Sequence, residues 1–234
     1  MQLFYIPGLE SDKYILSFEE SKHCIKVLRL KKGDVVYLTD GKGNLYKTQI
    51  TIPDPKKCEV QVLESFSEYG KKEFYLHLAI APTKNIKRTE WFLEKCTEIG
   101  IDEFTFINCR FSERSNIKQD RFQRVVIAAL KQSMKAYLPK INGLVNFNDF
   151  IGKNIQGKKF IAICDEQKKT HLKNLYIKGK NATILIGPEG DYSEEEKELA
   201  LNNSFQPVSL GESRLRTETA GIVACHTINL INEK

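Results

Sequence analysis

The chain has 234 residues, of which 41% are apolar, a formal net charge of +6 and a pI near 8.9. This composition excludes a disordered chain and provides enough apolar residues for one large or two small cores. No apolar run approaches membrane-spanning length, and the first residues lack the basic lead and apolar core of a signal peptide. We therefore expect a cytoplasmic protein with no membrane association.

The six cysteines are scattered along the chain, with no C-x-x-C pair and no histidine at the spacing of a zinc ligand. We therefore expect no metal site. The nearest approach to one is His23 beside Cys24, and their place in a short amphipathic segment favours a structural role.

The first 66 residues have the pattern of a β-rich module. Ser17 and Glu20 have capping-box spacing and predict one helix through Leu30. Asp40–Asn44 is a strong hairpin signal, and Ser67–Lys72 is a polar, glycine-bearing linker. Strands are predicted over 35–39, 45–52 and 58–66.

Beyond this linker, strands alternate with helices, which is the pattern of a parallel α/β sheet. A helix is predicted from about Arg88 to Ile99, ended by Gly100. Strands are predicted over 74–82, 102–108, 160–164, 183–186 and 207–210. The chain should thus divide into a β-rich domain of residues 1–70 and an α/β domain of residues 71–234.

Positive charge is concentrated between Cys109 and Lys140, where eight basic and two acidic residues give +6, equal to the net charge of the whole chain. At about 100° per residue, four basic side chains fall in one sector of a predicted helix. Apolar side chains, the last of which is Tyr137, fall in another sector. The four basic residues are Arg121, Arg124, Lys131 and Lys135. Such a stripe is commonly a solvated face, but a neighbouring arginine-bearing loop and the β-rich module favour a track for phosphate groups.

Known nucleotide-binding fingerprints are missing from the sequence. Gly152–Lys159 has the spacing of a P-loop, but Lys159 replaces the Ser/Thr, no strand precedes it and a strand follows it. There is no G-x-G-x-x-G motif either. Nicotinamide or flavin binding in a Rossmann crevice is therefore not expected.

Two loops near the C-terminus carry the strongest functional signal. The apolar run Thr183–Ile186 predicts a buried strand, followed by the loop Gly187–Gly190 and a helix with a capping box at Ser193. The second strand, 207–210, precedes Gly211–Gly221, which contains two arginines, two threonines and glutamates before an apolar helix. Open α/β sheets bind ligands at the carboxyl ends of strands, so we expect both loops to share one pocket.

These loops, which read LIGPEG and LGESRLRTETA, resemble the motifs of the RsmE family of 16S ribosomal RNA uridine-N3 methyltransferases in the SPOUT superfamily. The resemblance covers the whole chain and includes an H-x-x-x-VLR pattern from His23 to Arg29. Two places depart from the family pattern. Asp191 stands where the family has a glycine, and Glu212-Ser213 where it has Pro-Arg, which leaves the role of Arg214 open.

The resemblance implies a PUA-like β-barrel followed by an α/β trefoil-knot domain, a homodimer, and S-adenosylmethionine as methyl donor for 16S rRNA of the small ribosomal subunit. The implied donor pocket contains Cys164, Leu185, Ile186, Gly187, Pro188, Glu189, Gly190, Leu210, Gly211, Leu215 and Thr217. The implied catalytic residues are Glu218, Arg216 and Arg114. The residues expected to contact RNA are Arg29, Arg110, Arg121, Arg124, Lys131, Gln132 and Lys135.

Methyl transfer to uridine N3 requires an extruded base, because N3 lies on the Watson–Crick edge, and a group that accepts or stabilises the N3 proton. Glu218 is the first choice for that acceptor, and the alternative is that it caps the last helix. Two other functions stay open at this point. The chain could be a non-catalytic RNA-binding protein, or a SPOUT methyltransferase acting on another RNA, such as a ribose 2′-hydroxyl of tRNA.

Overall fold

The computed structural model describes residues 2–8, 11–164 and 169–233. The chain divides into two compact units. The first contains Met1–Lys71 and Leu130–Leu138, and the second contains Lys72–Ala129 and Pro139–Lys234. The first unit therefore includes a short piece of chain that lies far from its other residues in the sequence.

The first unit is built on a mixed β-sheet. Its elements are β1 Leu3–Tyr5, β2 Lys13–Ile15, α1 Phe18–Lys22, β3 Val35–Thr39, β4 Leu45–Ile52 and β5 Glu59–Phe66. In the described residues, five strands pair in the order β1-β3-β4-β5-β2, with β1 parallel to β3 and the other pairs antiparallel. The predicted hairpin is confirmed, because Asp40 Oδ1 accepts the N–H groups of Lys42 (2.7 Å) and Asn44 (3.2 Å) between β3 and β4.

The first helix is shorter than predicted. Ser17 Oγ accepts the Glu20 N–H at 3.3 Å, as its spacing suggests. The α-helix nevertheless ends at Lys22, and a π-helical turn, His23–Val27, replaces the predicted continuation through Leu30. Arg29 then takes a left-handed backbone (φ 57°), which a straight helix could not contain.

The segment Leu130–Leu138 completes the core of the first unit. Leu130 and Ala136 are buried in one cluster with Leu3 and Leu45. The Thr39 hydroxyl donates to the Ala136 carbonyl (3.3 Å), and the Leu138 N–H donates to a carbonyl of the hairpin (2.8 Å). Nothing in the sequence pattern predicts this contribution.

The second unit is an α/β sheet. Its elements are β6 Leu76–Ile80, α2 Ile86–Ile99, β7 Glu103–Asn108, α3 Gln119–Gln132, β8 Lys140–Asn146, α4 Phe147–Ile151, β9 Lys158–Ala162, α5 Leu172–Leu175, β10 Ala182–Ile186, α6 Glu194–Asn202, β11 Gln206–Val208 and α7 Thr217–Asn232. In the described part of this unit, six strands pair in the order β11-β9-β10-β6-β7-β8. Every pair is parallel, which confirms the predicted sheet and places all carboxyl ends at one edge. Over the described ranges, no helix is long and apolar enough to cross a membrane.

The basic helix α3 also ends earlier than predicted. It stops at Gln132, so that Lys135 and Tyr137 lie beyond it. Met134 has a left-handed backbone (φ 56°), and the Lys135 N–H donates to the Leu130 carbonyl at 3.1 Å. This is the hydrogen bond of a Schellman termination, with methionine at the position usually taken by glycine. Lys135 therefore does not continue the helical stripe.

Helices α2 and α7 pack closely through Gly221. A Cβ atom at this position would lie 2.4 Å from Phe92 Cε2 and 3.2 Å from Ile80 Cδ1. The Phe92 side chain is fully buried and contacts Phe104 edge to face, so it has no room to move. Gly221 therefore sets the separation of the two helices.

We expect Gly221→Ala to lower the free energy of unfolding by up to about 2 kcal/mol, because an overpacking cost of about 1–3 kcal/mol outweighs the gain of about 1 kcal/mol in helix propensity. Gly152→Ala is the matched control, since the nearest atom to a Cβ there is 3.6 Å away. Urea denaturation followed by circular dichroism measures both. Equal stability of the two variants would contradict the packing argument.

A buried histidine lies near the amino ends of the central strands. His77 Nε2 is 2.7 Å from the Thr105 hydroxyl, and its Nδ1 is 4.0 Å from Glu103 Oε2. Burial lowers the pKa of His77 from 6.5 to about 4, although the Glu103 carboxylate acts in the opposite direction. His77 is therefore neutral in the folded chain at pH values where the unfolded chain already binds a proton.

Stability should consequently decline as the pH falls from 6.5 towards 4, because the unfolded state binds the additional proton. We expect the stability difference between wild type and His77→Gln to shrink by about 2–3 kcal/mol between pH 7 and pH 4.5. Chemical denaturation at several pH values measures this difference. His226→Gln, the same substitution at an exposed position, is the matched control.

Candidate functional site

A cavity of about 1190 Å³ lies at the carboxyl ends of β9, β10 and β11. It is lined by residues from three segments, one after each strand: 162–164 with 169–171 and 173–174, 186–189 with 191, and 208–217 with 220. Because the strands are parallel, these segments start from the same edge of the sheet. The predicted sharing of one pocket by the two C-terminal loops is thus confirmed.

The loop after β10 is tightly constrained. The Asp191 N–H donates to the Pro188 carbonyl at 3.0 Å, which closes a turn. A Cβ atom at Gly187 would lie 2.9 Å from Cε2 of Tyr192, a ring that is almost completely buried. Burial also raises the pKa of Tyr192 well above its usual value. Any side chain at position 187 would therefore overlap this ring, so the position requires glycine.

Asp191 occupies a left-handed backbone position, with φ of 62°. Glycine is favoured at such a position, and aspartate is one of the few other residues that tolerate it. Its carboxylate also lies 3.8 Å from Lys197 Nζ. The departure from the family motif is therefore compatible with the same turn.

The loop after β11 is tied to the loop after β10 by a side chain. Thr217 Oγ1 donates to the Gly187 carbonyl at 3.0 Å, and Thr217 is buried. At the other end of the loop, the Gly211 N–H donates to Ser209 Oγ (3.1 Å) and Gly211 has φ of 139°. The Arg216 side chain is exposed and the residue precedes α7, so the loop presents a guanidinium beside the cavity.

The sequence motifs predict little of the third wall of the cavity. Among its residues, only Cys164 was predicted, whereas Thr170, His171, Lys173 and Asn174 also line the cavity. The Leu172 N–H donates to the Ser209 carbonyl (2.9 Å), and the Ser209 N–H donates to the Thr170 carbonyl (3.1 Å). The signal that could identify these residues is their position, because this polar stretch follows β9 at the carboxyl edge of the sheet.

The structure brings most of the predicted donor residues together. Those that line the cavity are Cys164, Ile186, Gly187, Pro188, Glu189, Leu210, Gly211, Leu215 and Thr217. Leu185 does not, because its fully buried side chain packs in the core with Phe205 and Ile161. Gly190 does not line the cavity either, and it faces the Phe111 side chain instead.

Glu218 is buried in the first turn of α7. Its Oε1 lies 3.7 Å from Arg88 Nε, and its side chain is only 7% exposed. In the described part of the chain, Oε2 is buried and has no hydrogen-bond partner. A buried carboxylate oxygen without a donor is costly, which makes this atom a candidate for contact with a ligand.

Arg114 is engaged by the backbone at the end of β6. Its Nε donates to the Thr83 carbonyl (3.2 Å) and its Nη2 to the Lys84 carbonyl (2.7 Å). The Lys84 N–H in turn donates to Glu189 Oε1 at 3.3 Å. Arg114 thus supports the loops beside the cavity, and it does not line the cavity itself.

Several of the predicted RNA-contacting side chains form ion pairs. Arg121 pairs with Glu90 through two hydrogen bonds, which raise the pKa of Arg121, and Lys131 Nζ lies 2.7 Å from Glu20 Oε1. Arg110 and Arg124 are exposed. The second unit contains Arg110, Arg121 and Arg124, and the first unit contains Arg29, Lys131, Gln132 and Lys135. The stripe is therefore less positive than its composition suggests.

No group of three or more His, Cys, Asp or Glu side chains is placed to hold a metal ion within residues 2–8, 11–164 and 169–233.

Two protein-family models match the chain. Residues 70–229 match an RNA methyltransferase domain, and residues 17–63 match an RNA methyltransferase PUA domain. These assignments agree with the α/β sheet of the second unit and the mixed sheet of the first. The fold predicted for the chain, a PUA-like module followed by an α/β methyltransferase domain, is thereby confirmed.

Individual proteins show the same relationship. Ribosomal RNA small subunit methyltransferase E of Synechocystis is 33% identical over 217 residues, which cover 89% of this chain and 70% of the relative. The crystal structure of a probable rRNA-methyltransferase from Porphyromonas gingivalis is 43% identical, with a TM-score of 0.92, over 99% of this chain and 98% of the other.

A second structure shows the fold at lower identity. Ribosomal RNA small subunit methyltransferase E of Neisseria gonorrhoeae, bound to S-adenosyl methionine, has a TM-score of 0.90 at 24% identity, over 99% of this chain and 98% of the other. With two family models and a relative of 33% identity in agreement, the chain belongs to the ribosomal RNA small subunit methyltransferase E family.

Proposed function

We propose that this protein transfers a methyl group from S-adenosylmethionine to N3 of a uridine in 16S rRNA of the small ribosomal subunit. The observation that carries the proposal is the cavity at the ends of β9, β10 and β11. Glu218, whose carboxylate has a buried oxygen without a partner in the described chain, does not line the cavity but directly follows the lining residue Thr217. Family membership supports the reaction class. The uridine N3 position rests on the resemblance of the two loop motifs.

The cavity has the composition of a nucleoside site. Ile163, Ile186, Leu210 and Leu215 provide apolar contacts for an adenine ring, and the glycine-bearing loops bring backbone N–H and C=O groups to the surface. Its volume of about 1190 Å³ exceeds that of most small-molecule pockets, about 300–1000 Å³, so a donor and part of an acceptor base could both be accommodated. The residues present therefore fit S-adenosylmethionine.

The donor supplies an electrophilic methyl group on a positively charged sulfur. The chain's own contribution is to orient the acceptor and to manage the N3 proton. Glu218 Oε2 is buried and lacks a donor in the described chain, so it can accept a hydrogen bond from uridine N3–H and then its proton. Arg88 Nε lies 3.7 Å from the other oxygen, so Oε1 is paired while Oε2 stays available.

Arg216 is the residue best placed to stabilise negative charge on the base. It lies directly before α7, lines the cavity and is exposed, so its guanidinium can reach a uracil oxygen or an adjacent phosphate. Arg114 is assigned a supporting role, because its guanidinium is already bound to two backbone carbonyls. The exposed side chains of Arg110 and Arg124 would contact the RNA backbone.

Two measurements test the proposed reaction. Calorimetry should show binding of S-adenosylmethionine, and nucleoside mass spectrometry should find 3-methyluridine in 16S rRNA only in cells that carry the gene. Failure to bind the donor would favour a non-catalytic RNA-binding protein. Loss of a 2′-O-methyl nucleoside instead would indicate a methyltransferase of another specificity.

Donor binding should depend on the hydrogen bond between the two loops. We expect Thr217→Val to weaken S-adenosylmethionine binding about tenfold, because the Gly187 carbonyl loses its donor and the loops lose their preorganisation. Thr217→Ser keeps the hydroxyl and is the control. Calorimetry measures both dissociation constants, and equal values for valine and wild type would remove this role.

Catalysis should depend on Glu218 and Arg216, whereas the binding of S-adenosylmethionine should depend little on either residue. We expect Glu218→Gln and Arg216→Ala each to lower kcat by at least about 100-fold while the dissociation constant of S-adenosylmethionine stays within about threefold. Glu198→Gln, on the exposed face of α6, is the matched control. Near-normal turnover in both variants would exclude the assigned roles, and equal losses of stability would reassign Glu218 to a structural one.

Further features implied by the family belong to the same proposal. A homodimer is compatible with the apolar residues that α7 leaves accessible, among them Leu230, which is 53% exposed. We also propose the trefoil knot, the domain division at residues 70 and 71, and a cytoplasmic location. Light scattering on the purified protein distinguishes a dimer from a monomer.

A further inference from the structure

The loop after β7 presents an exposed aromatic ring beside the candidate site. Phe111 is 51% exposed, and the Cβ position of Gly190 lies 3.1 Å from Phe111 Cβ. The neighbours of Gly190 in the chain, Glu189 and Asp191, both line the cavity. Phe111 is therefore separated from the cavity only by the backbone of the loop after β10.

The backbone that carries Phe111 is held rigidly. The Ser112 N–H donates to the Cys109 carbonyl (3.1 Å), and the Cys109 N–H donates to Ser112 Oγ (2.9 Å). Arg110 and Phe111 are thus the central residues of a closed turn. The Arg110 N–H also donates to Glu196 Oε1 at 2.8 Å, which anchors the turn to the capping box of α6.

The neighbours of Phe111 in the chain include two arginines. Arg110 is exposed directly beside it, and the Arg114 guanidinium is fixed three residues later by two carbonyls. An exposed ring beside an exposed arginine is a combination that binds single-stranded RNA, because the ring stacks on a base while the cation neutralises a phosphate. Such a surface beside a methyl-transfer site would meet the nucleotides next to the target.

We propose that Phe111 is a positioning residue that stacks on a base adjacent to the target uridine and thereby holds the RNA strand at the site. The inference rests on the proposed function, since it presumes an RNA substrate. A neighbouring base is assigned, and not the reacting one, because the backbone of the loop at Gly190 lies between the ring and the cavity. The ring should therefore affect substrate binding more than the chemical step.

Steady-state methylation of small ribosomal subunits, isolated from cells that lack the gene, tests this assignment. We expect Phe111→Leu to raise KM for the subunits about tenfold while kcat stays within about twofold. Phe111→Tyr keeps the aromatic ring and should restore KM to within about twofold. Tyr75→Leu is the matched control, because it removes a comparably exposed ring, 41% against 51%, at the opposite edge of the sheet.

Direct stacking can be observed separately from turnover. The chain has one tryptophan, Trp91, so a Phe111→Trp, Trp91→Phe variant reports on position 111 alone. Its fluorescence should be quenched when a uridine-containing single-stranded oligonucleotide is added. Absence of quenching, an unchanged KM in Phe111→Leu, or a tyrosine variant as impaired as the leucine variant would each overturn the proposal.

Three further outcomes keep the two proposals apart. If wild type binds S-adenosylmethionine but methylates no subunit RNA, the proposed function fails, and the quenching measurement, which needs no turnover, still decides whether Phe111 stacks on RNA. If wild type is active and Phe111→Leu loses kcat at constant KM, only the positioning role is wrong. If Phe111→Leu changes the oligomeric state in size-exclusion chromatography, the ring contacts a protein partner, and the RNA assignment is overturned.

Discussion

The parallel register of the second sheet is the constraint on which the candidate site depends. Ile186 at the end of β10 pairs with Ala162 of β9 and with Ile80 of β6, and Val208 of β11 pairs with Ala162. The loops after these strands therefore start at one level. Since β10 is buried along its whole length, a shift of one residue would move core side chains to the opposite face of the sheet.

From that common level, short-range interactions shape the site. Gly187 lets the chain pass the Tyr192 ring, and Thr217 joins the loops after β10 and β11 through one hydrogen bond. Glu196 caps its own helix and also binds the Arg110 N–H of the loop after β7. One carboxylate therefore couples the loops after β10 and β7, and the site behaves as a connected set of strand ends.

Much of this arrangement could be predicted from local patterns. The apolar run before Gly187, the capping box at Ser193 and the glycine at position 100 are signals within a few residues, and the structure confirms each. Position 191 shows how a motif departure is resolved, because its left-handed backbone accepts aspartate in place of glycine. The two loops were found because both follow strands of one parallel sheet.

What could not be predicted depends on contacts between distant residues or on unusual backbones. Arg88 and Glu218 are 130 positions apart, and no spacing rule connects them. The helix α3 ends at Gln132 because Met134 takes a left-handed conformation two residues later, where a glycine signal is missing. The π-helical turn after Lys22 likewise leaves no mark in the apolar pattern. The wall of the cavity formed by Thr170 and His171 is not predicted, because this stretch carries no recognised motif.

The assignment of Leu130–Leu138 to the first unit has a consequence for biosynthesis. The cluster that buries Leu3 and Leu45 lacks two of its buried members until Leu130 and Ala136 have been synthesised. At about 5–20 residues per second, the nascent amino-terminal sheet waits several seconds with an uncovered apolar face. A truncated chain that begins at Lys72 would lack Leu3 and Leu45. The apolar side chains of Leu130 and Ala136 would then have no cluster in which to be buried.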